Sequence, residues 1–473
     1  MTEKTNFLVI MSDQHSPEAI GALGHPVVKT PALDALAASG VSFTSAYCAY
    51  PMCTPARASF MTGLLTPQHG VWDLGSPLSS GLPTWAHALG AAGYRTTISG
   101  RMHFIGPDQM HGFERRVCPG VTAERKPFTE GEWGQPLSRE RKMLQSIADA
   151  GPTDERTRGE IYDDGVLEAS LQELRRFAGS PSDHPWTLMV GFILPHFPFA
   201  ISRRHHDLYE GLDMPMPRTP PDGGSFEERV PEQMAGNRRR LGLTSDGAAD
   251  EDVRMARRCY YAMVTRVDEM VGRLTSELQR LGLARNTWVV YLSDHGESLG
   301  EHGFWSKGTF WEESVRVPLI VARPGERNAG ARCAAPVSQV DWLQTVLDVT
   351  GQEWCESMPG RSLVPLLDDP GQTWADRAVL SDYACQGTRA LMRMVRKGKY
   401  KACFAPGFPP TLFDLEADPH EWNDLCRSRD HRAVLAELEQ DAGADGWDPV
   451  RLKPEIETLK RRLNRIAAAE RKD

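Results

Sequence analysis

Two polar pairs in this chain stand behind apolar runs: Asp13-Gln14 behind Asn6-Phe7-Leu8-Val9-Ile10-Met11, and Asp294-His295 behind Thr287-Trp288-Val289-Val290-Tyr291-Leu292. Short, nearly continuous apolar runs suit strands buried on both faces of a parallel sheet. Open α/β sheets place their ligands beyond the carboxyl ends of such strands. Where the two pairs meet, two carboxylates and two neutral donors balance a divalent cation to about zero net charge and leave a nucleophile as a further ligand. Taken singly, Asp13 and Gln14 read as well as turn or cap residues.

A third element, Cys53-Thr54-Pro55-Ala56-Arg57, has the makings of a nucleophile at a helix start. Pro55 is placed to open a helix whose apolar positions Phe60, Met61 and Leu64 follow at helical spacing. Unpaired N–H groups and the positive end of the dipole then favour an anion beside residue 53, and Arg57 can reach back toward it. An ordinary buried cysteine at a helix start has the same local pattern. His196 lies between Pro195 and Pro198, just past the run Trp186 to Phe192, and is held in place there; a satisfied loop histidine is the bland alternative.

Cys53, Pro55 and Arg57, followed by Ala58-Ser59-Phe60-Met61-Thr62-Gly63, resemble the modification signal of type I sulfatases, in which the cysteine is oxidised to formylglycine. Gly100-Arg101-Met102-His103 stands where that family has Gly-Lys-x-His, whose lysine and histidine contact the sulfate. Arg101 keeps the charge but not the reach or fork geometry of lysine. Pro195-His196-Phe197-Pro198 resembles the family's Pro-His-x-Pro element, and Lys307 in Gly303-Phe304-Trp305-Ser306-Lys307-Gly308 matches its second sulfate-binding lysine. The run Met102 to Glu114 is similar to choline sulfatases and their bacterial relatives. With Val315 to Val321 the resemblance spans nearly the whole chain.

This resemblance implies an alkaline-phosphatase-like α/β fold and hydrolysis of a small-molecule sulfate monoester to alcohol and sulfate. It implies a metal site of Asp13, Gln14, Asp294 and His295 with residue 53. Arg57, Arg101, His103 and Lys307 are then expected at the sulfuryl oxygens, and His196 as a general acid at the departing alcohol. Calcium is the family default. The neutral Gln14 and the nitrogen donor His295 make manganese the alternative. Maturation implies a formylglycine-generating enzyme as partner. Formylglycine-dependent phosphonate monoester hydrolases share the nucleophile and the Asp-Gln and Asp-His ligands, so that activity is the alternative. A non-enzymatic anion binder would not need the complete set. Choline sulfatases carry an asparagine soon after an aligned Tyr-Asp, whereas this chain has Trp72-Asp73-Leu74, so choline sulfate is not expected to be the best substrate.

The elements that must position these residues follow from periodicity. Thr30-Pro31 opens a helix with Leu33, Leu36 and Ala37 on one face, Val41-Ser42-Phe43 is a strand, and Leu82-Pro83-Thr84 starts a helix ahead of the strand Tyr94 to Ser99. Residues 115 to 160 read as a surface insertion, and Ile161, Leu167, Leu171, Leu174 and Phe177 as a helical face. From Ser202 to Glu251 the chain reads as a polar loop or lid in which His205-His206-Asp207 is solvated. A long helix follows from about Asp252 to Leu281, and another from Val340 to Gly351. Short strands after residue 355 suggest an antiparallel domain. The expected architecture is a large mixed, mostly parallel sheet flanked by helices over 1–354, with a smaller C-terminal α+β domain over 355–473. The terminal face of Ile456, Leu459, Leu463 and Ile466 suits docking or contact between copies in a homo-oligomer.

At 473 residues, 40% hydrophobic and 25% charged, the composition is that of a globular protein. No stretch approaches the ~20 apolar residues of a membrane span. The start lacks the apolar segment of a secretory signal, so a cytoplasmic enzyme is expected. Nine cysteines without CxxC pairs argue against a disulfide framework or a zinc site, and a net charge of -9 against nucleic-acid binding.

Overall fold

The computed structural model describes all but residues 1–4, 122–142, 180–183, 227–228, 242, 244–246, 355–356, 386–387, 389 and 471–473. The apolar runs form an eight-stranded sheet from β1 (Asn6–Ser12), β2 (Val41–Phe43), β3 (Arg95–Gly100), β4 (Arg115–Cys118), β5 (Trp186–Gly191), β6 (Thr287–Ser293), β7 (Leu319–Ala322) and β8 (Arg332–Cys333). Their spatial order is β8-β2-β7-β6-β1-β5-β3-β4. All pairings are parallel except those of β7 with β6 and β2. Every residue of β1, β5 and β6 is buried, as continuous apolar runs demand of central parallel strands.

Helices cover both faces. The longer helices of the chain are α1 (Pro31–Ser39), α2 (Cys53–Thr62), α3 (Trp85–Ala91), α4 (Arg158–Gly179), α5 (Glu232–Leu241), α6 (Asp250–Arg280), α7 (Asp341–Thr350), α8 (Arg432–Gly443) and α9 (Pro449–Glu470). Packing of α6 on α1 and α4 forms one layer, and of α7 on α2 and α3 the other. Trp342 of α7 ties its layer to the sheet, with ring centroids 5.9 Å from Phe7 of β1 and 6.4 Å from both Phe60 of α2 and Trp85 of α3.

The second sheet is antiparallel and sequential: β9 (Ala378–Tyr383), β10 (Met392–Lys397), β11 (Tyr400–Phe404) and β12 (Thr411–Asp414). Its strands alternate. Met394, Cys403 and Phe413 join the main core, while Val395, Ala402 and Leu412 pack with Leu438 and Ala442 of α8.

Four local expectations are corrected. α2 begins at Cys53, so Pro55 is its third residue and not its first; first-turn N–H groups have no intrahelical acceptor, so proline fits there too. Part of the expected insertion lies outside the described residues, but Arg115–Cys118 extends the sheet as an edge strand and Met143–Ala148 is helical. Within 202–251, α5 replaces loop, and His205 and His206 are buried instead of solvated. His205 Nε2 lies 3.0 Å from Glu269 and its Nδ1 3.1 Å from Ser202 Oγ. Ile161 is exposed on α4, because the face of its turn that packs inward is made by Glu160 and Asp163. On α9, Leu452, Ile456 and Leu463 dock into this chain's own core, leaving Ile466 outside. Among the described residues, no helix is long and apolar enough to cross a membrane.

Candidate active site

Neighbouring strands β6, β1, β5 and β3 all run the same way, and each delivers functional side chains just past its carboxyl end. They supply Asp294-His295, Asp13-Gln14, His196 and Arg101-His103 respectively. The register pairs Ser12 with Ser293, which sets Asp13 level with Asp294. At β3 and β5 the backbones nearly touch: Gly100 has φ 84°, and a Cβ there would sit 2.3 Å from Gly191 O, so only glycine fits. This close crossing turns Arg101 back over the sheet end, where its N–H donates to Gly191 O at 2.8 Å.

Helix α2 brings Cys53 to the same place from the other side of the sheet end. Its Sγ lies 3.2 Å from His295 Nε2 and 3.7 Å from Asp13 Oδ1. Asp13, Cys53, Asp294 and His295 are all buried, and one ligand atom from each falls within 4.8 Å of the others. Burial and Asp13 push the Cys53 thiol up, yet Lys307 and His295 outweigh them and hold it below its ordinary value. The other buried thiols behave oppositely: burial pushes Cys259 and Cys403 up to about 12.

Arg57 braces the two carboxylates. Nε donates to Asp294 Oδ2 at 2.9 Å, Nη2 to Asp13 Oδ2 at 3.1 Å and Nη1 to Arg101 O at 2.7 Å. Arg101 adds a second cation on Asp13, at 2.5 Å from Nε. Burial alone would raise the Asp13 carboxyl, but Arg101, His196, Arg57 and Lys307 hold it well below the usual carboxylate range.

The histidines differ in which nitrogen faces outward. Arg101 Nη2 donates to His103 Nδ1 at 3.0 Å, which leaves the proton of the neutral ring on Nε2. Burial and Arg101 keep His103 well below its ordinary pKa, so it is a neutral donor. His196 Nδ1 donates to Phe197 O at 2.6 Å, leaving Nε2 as the free lone pair. Burial and Lys307 depress His196 as well. Lys307 Nζ donates to Gln14 Oε1 and lies 5.6 Å from the Phe197 ring centroid. Thus all ten expected residues, Asp13, Gln14, Cys53, Arg57, Arg101, His103, His196, Asp294, His295 and Lys307, converge on one locus.

Gln14 and His103 have positive φ, at 69° and 54°. Such backbone is costly for side-chain-bearing residues and persists where surroundings over-determine it. Gln14 is held by its N–H on Asp294 Oδ1 at 3.0 Å and by Tyr260, whose hydroxyl donates to Gln14 O and accepts from Ser16 N, both at 2.7 Å. Three supporting residues escaped the sequence reading. Tyr260 is one, lying within the α6 core stripe. Gln339 is another; its Nε2 donates to Ser293 O and Asp294 O at 2.7 and 2.9 Å and fixes the β6 terminus. The third is Glu297, which accepts from Gln14 Nε2; its position two residues past His295 was the available signal.

The donor set fits a divalent cation: two carboxylates and an imidazole around one buried point, with the buried amide of Gln14 on the residue after Asp13. Because Arg57 and Arg101 already match the charges of Asp13 and Asp294, such an ion would leave the locus positive, the condition for holding an anionic ester.

A family model described as Sulfatase matches residues 5–352, and one described as N-sulphoglucosamine sulphohydrolase, C-terminal, matches 300–444. Choline-sulfatase of Rhizobium meliloti (strain 1021) is 36% identical over 470 residues, covering 94% of this chain and 88% of that one. Arylsulfatase of Clostridium perfringens is 26% identical, with 91% and 92% covered. The crystal structure of phosphonate monoester hydrolase of Agrobacterium radiobacter superposes with a TM-score of 0.75 at 26% identity, covering 94% and 96%.

Proposed function

This chain belongs to the sulfatase family and is a sulfuric ester hydrolase, and on that premise we propose that the locus around Cys53 is its active site and that Cys53 works as formylglycine. The observation that carries this is the meeting of Asp13, Asp294 and His295 on a cysteine at the first residue of a helix. Formylglycine, once hydrated, would supply one hydroxyl as the nucleophile on sulfur and a second whose deprotonation expels sulfate and restores the aldehyde, and a divalent cation would supply Lewis-acid polarisation and a lowered hydroxyl pKa.

The rest falls to this chain's own groups. Asp13, Gln14, Asp294 and His295 would hold the ion. Arg57, which donates to Asp13, Asp294 and Arg101 O, fixes the two carboxylates in place. Arg101, His103 through Nε2–H, and Lys307 bind the sulfuryl oxygens and favour the charge they gain as the ester bond breaks. His196 serves the departing alcohol oxygen. A sulfate-ester panel, run with mass analysis of the Cys53 peptide, tests the proposal. Unmodified cysteine in fully active protein overturns the formylglycine assignment.

A second reading, phosphonate monoester hydrolysis, is favoured by the likeness to the Agrobacterium radiobacter enzyme across 94% of this chain. Sulfate esters are expected to turn over with the higher kcat/KM; higher values for phenyl phosphonate monoesters would reverse the order.

For the ion, we take calcium first and manganese second. Elemental analysis of protein purified without added metal is expected to find one of them near one per chain. Finding neither, with turnover indifferent to chelators, removes the ion from the proposal.

Choline sulfate is expected not to be the preferred ester, despite the 36% identity to a choline-sulfatase. Asp73 is buried and spends its carboxylate on its own turn, at 2.8 Å from Gly75 N and 3.1 Å from Ser76 Oγ, and burial pushes its pKa up to about 7. It is therefore a poor anionic partner for a quaternary ammonium. A kcat/KM for choline sulfate far above every other ester in the panel would overturn this.

A further inference from the structure

Gln14 is the one expected ion ligand whose two side-chain ends are chemically opposite, since one is an acceptor and the other a double donor. A ligand must present the oxygen, so something has to choose the direction of the amide. Two contacts bear on this choice. Nε2 donates to Glu297 Oε2, and Oε1 accepts from Lys307 Nζ. Glu297 is itself fixed, because its Oε1 accepts from Leu299 N at 3.0 Å and from Ser306 N at 2.6 Å, and no part of it reaches solvent. Every partner of this carboxylate is a donor. Turning the Gln14 amide over would set its oxygen against the carboxylate and its NH₂ against the ammonium, repulsive at both ends. The same loop carries both controls, since Ser306, bound by Glu297, directly precedes Lys307.

We propose that Glu297 is a positioning residue that fixes the direction of the Gln14 amide, so that its oxygen and not its NH₂ faces the cation site. This rests on the reading of Gln14 as an ion ligand. Lys307 by itself is a weaker arbiter: it is a flexible point charge, also wanted by the sulfuryl oxygens.

The test is an exchange of functional groups. In Glu297→Gln the new amide keeps its oxygen on Leu299 N and Ser306 N and so presents NH₂ to Gln14. Two donors then face each other, and the relieved state is a reversed Gln14 amide with NH₂ toward the ion. In the double variant Gln14→Glu with Glu297→Gln, residue 297 donates to a carboxylate at 14, which has only acceptor oxygens and can meet the ion either way. Total charge is the same as in wild type.

Full-length protein, stripped with chelator, is titrated by calorimetry with calcium chloride and separately with manganese chloride, with the thermal midpoint recorded for each variant. Glu297→Gln is expected to weaken the ion by about 10- to 100-fold, the usual scale for a group that orients a ligand, and the exchanged pair to return within about tenfold of wild type. A folded Glu297→Gln that binds as tightly as wild type overturns the proposal. So does an exchanged pair no better than the single variant. Should Glu297→Gln fail to fold, the exchanged pair decides alone by the same tenfold criterion. Wild type that binds neither ion would instead overturn the ligand reading of Gln14, and this proposal with it.

Discussion

Cys53→Ala is expected to remove sulfate-ester turnover by more than about 10⁴-fold, the scale on which loss of a covalent nucleophile acts, while the thermal midpoint stays close to wild type. The side chain removed is small, and its polar contacts are the single approaches to His295 and Asp13, so little packing goes with it. The sheet end stays assembled, because Arg57 still spans Asp13 and Asp294. Cys259→Ala is the matched control, since that thiol is equally buried but lies in the apolar core stripe of α6; it is expected to keep its activity and lose some stability. The stronger form of the test leaves Cys53 in place and expresses the protein in cells without a cysteine-oxidising enzyme. Such protein should be folded and inactive. Wild-type turnover from either preparation would return Cys53 to the ranks of ordinary buried cysteines.

His196→Ala is expected to cost about 10²-fold or more on alkyl sulfates and much less on nitrophenyl sulfate. An alkoxide needs a proton to leave and a nitrophenolate does not, so the loss should grow with leaving-group basicity. The geometry adds a condition. In the free protein, burial and Lys307 keep His196 neutral, with the Nδ1 proton committed to Phe197 O. Its Nε2 can carry a proton only once an anionic ester offsets Lys307 and Arg101. The sign follows: a depressed histidine is charged only below its pKa, so the alkyl rate should fall as pH rises through the value reached in the complex, and the nitrophenyl rate should not. Equal losses on both esters would place His196 among the sulfuryl-binding groups, and no loss on either would make it structural.

The central fold was legible in the chain because buried parallel strands have an uncommon signature: β1, β5 and β6 are short, nearly continuous apolar runs. Much of the site was legible for the same reason, since Asp13, Asp294 and His196 follow those runs, while Arg101 follows the more polar β3. What could not be read was whatever depends on a partner remote in sequence. α5 is polar and weakly periodic, and it is helical because it packs over the segment carrying Lys307; Asn237 donates to Gly308 O. His205 looked solvated because Glu160 and Glu269, which surround it, are 45 and 64 residues away. β4 is four residues of which two are arginines, so only the edge of a sheet already built explains it. Arg57 was expected on the substrate, and the three acceptors that hold it, Asp13, Asp294 and Arg101 O, come from three separate strand ends and could not be read from its own stretch.

That placement of Arg57 bears on the order in which the enzyme is assembled. Small metal domains commonly stay unfolded until their ion arrives, because ion binding supplies the free energy that folds them. Here Arg57 and Arg101 neutralise Asp13 and Asp294 from within the polypeptide. Folding and ion loading are thereby separable events, and ion scarcity should produce a reservoir of intact, idle protein that is ready to be switched on and is not marked for degradation.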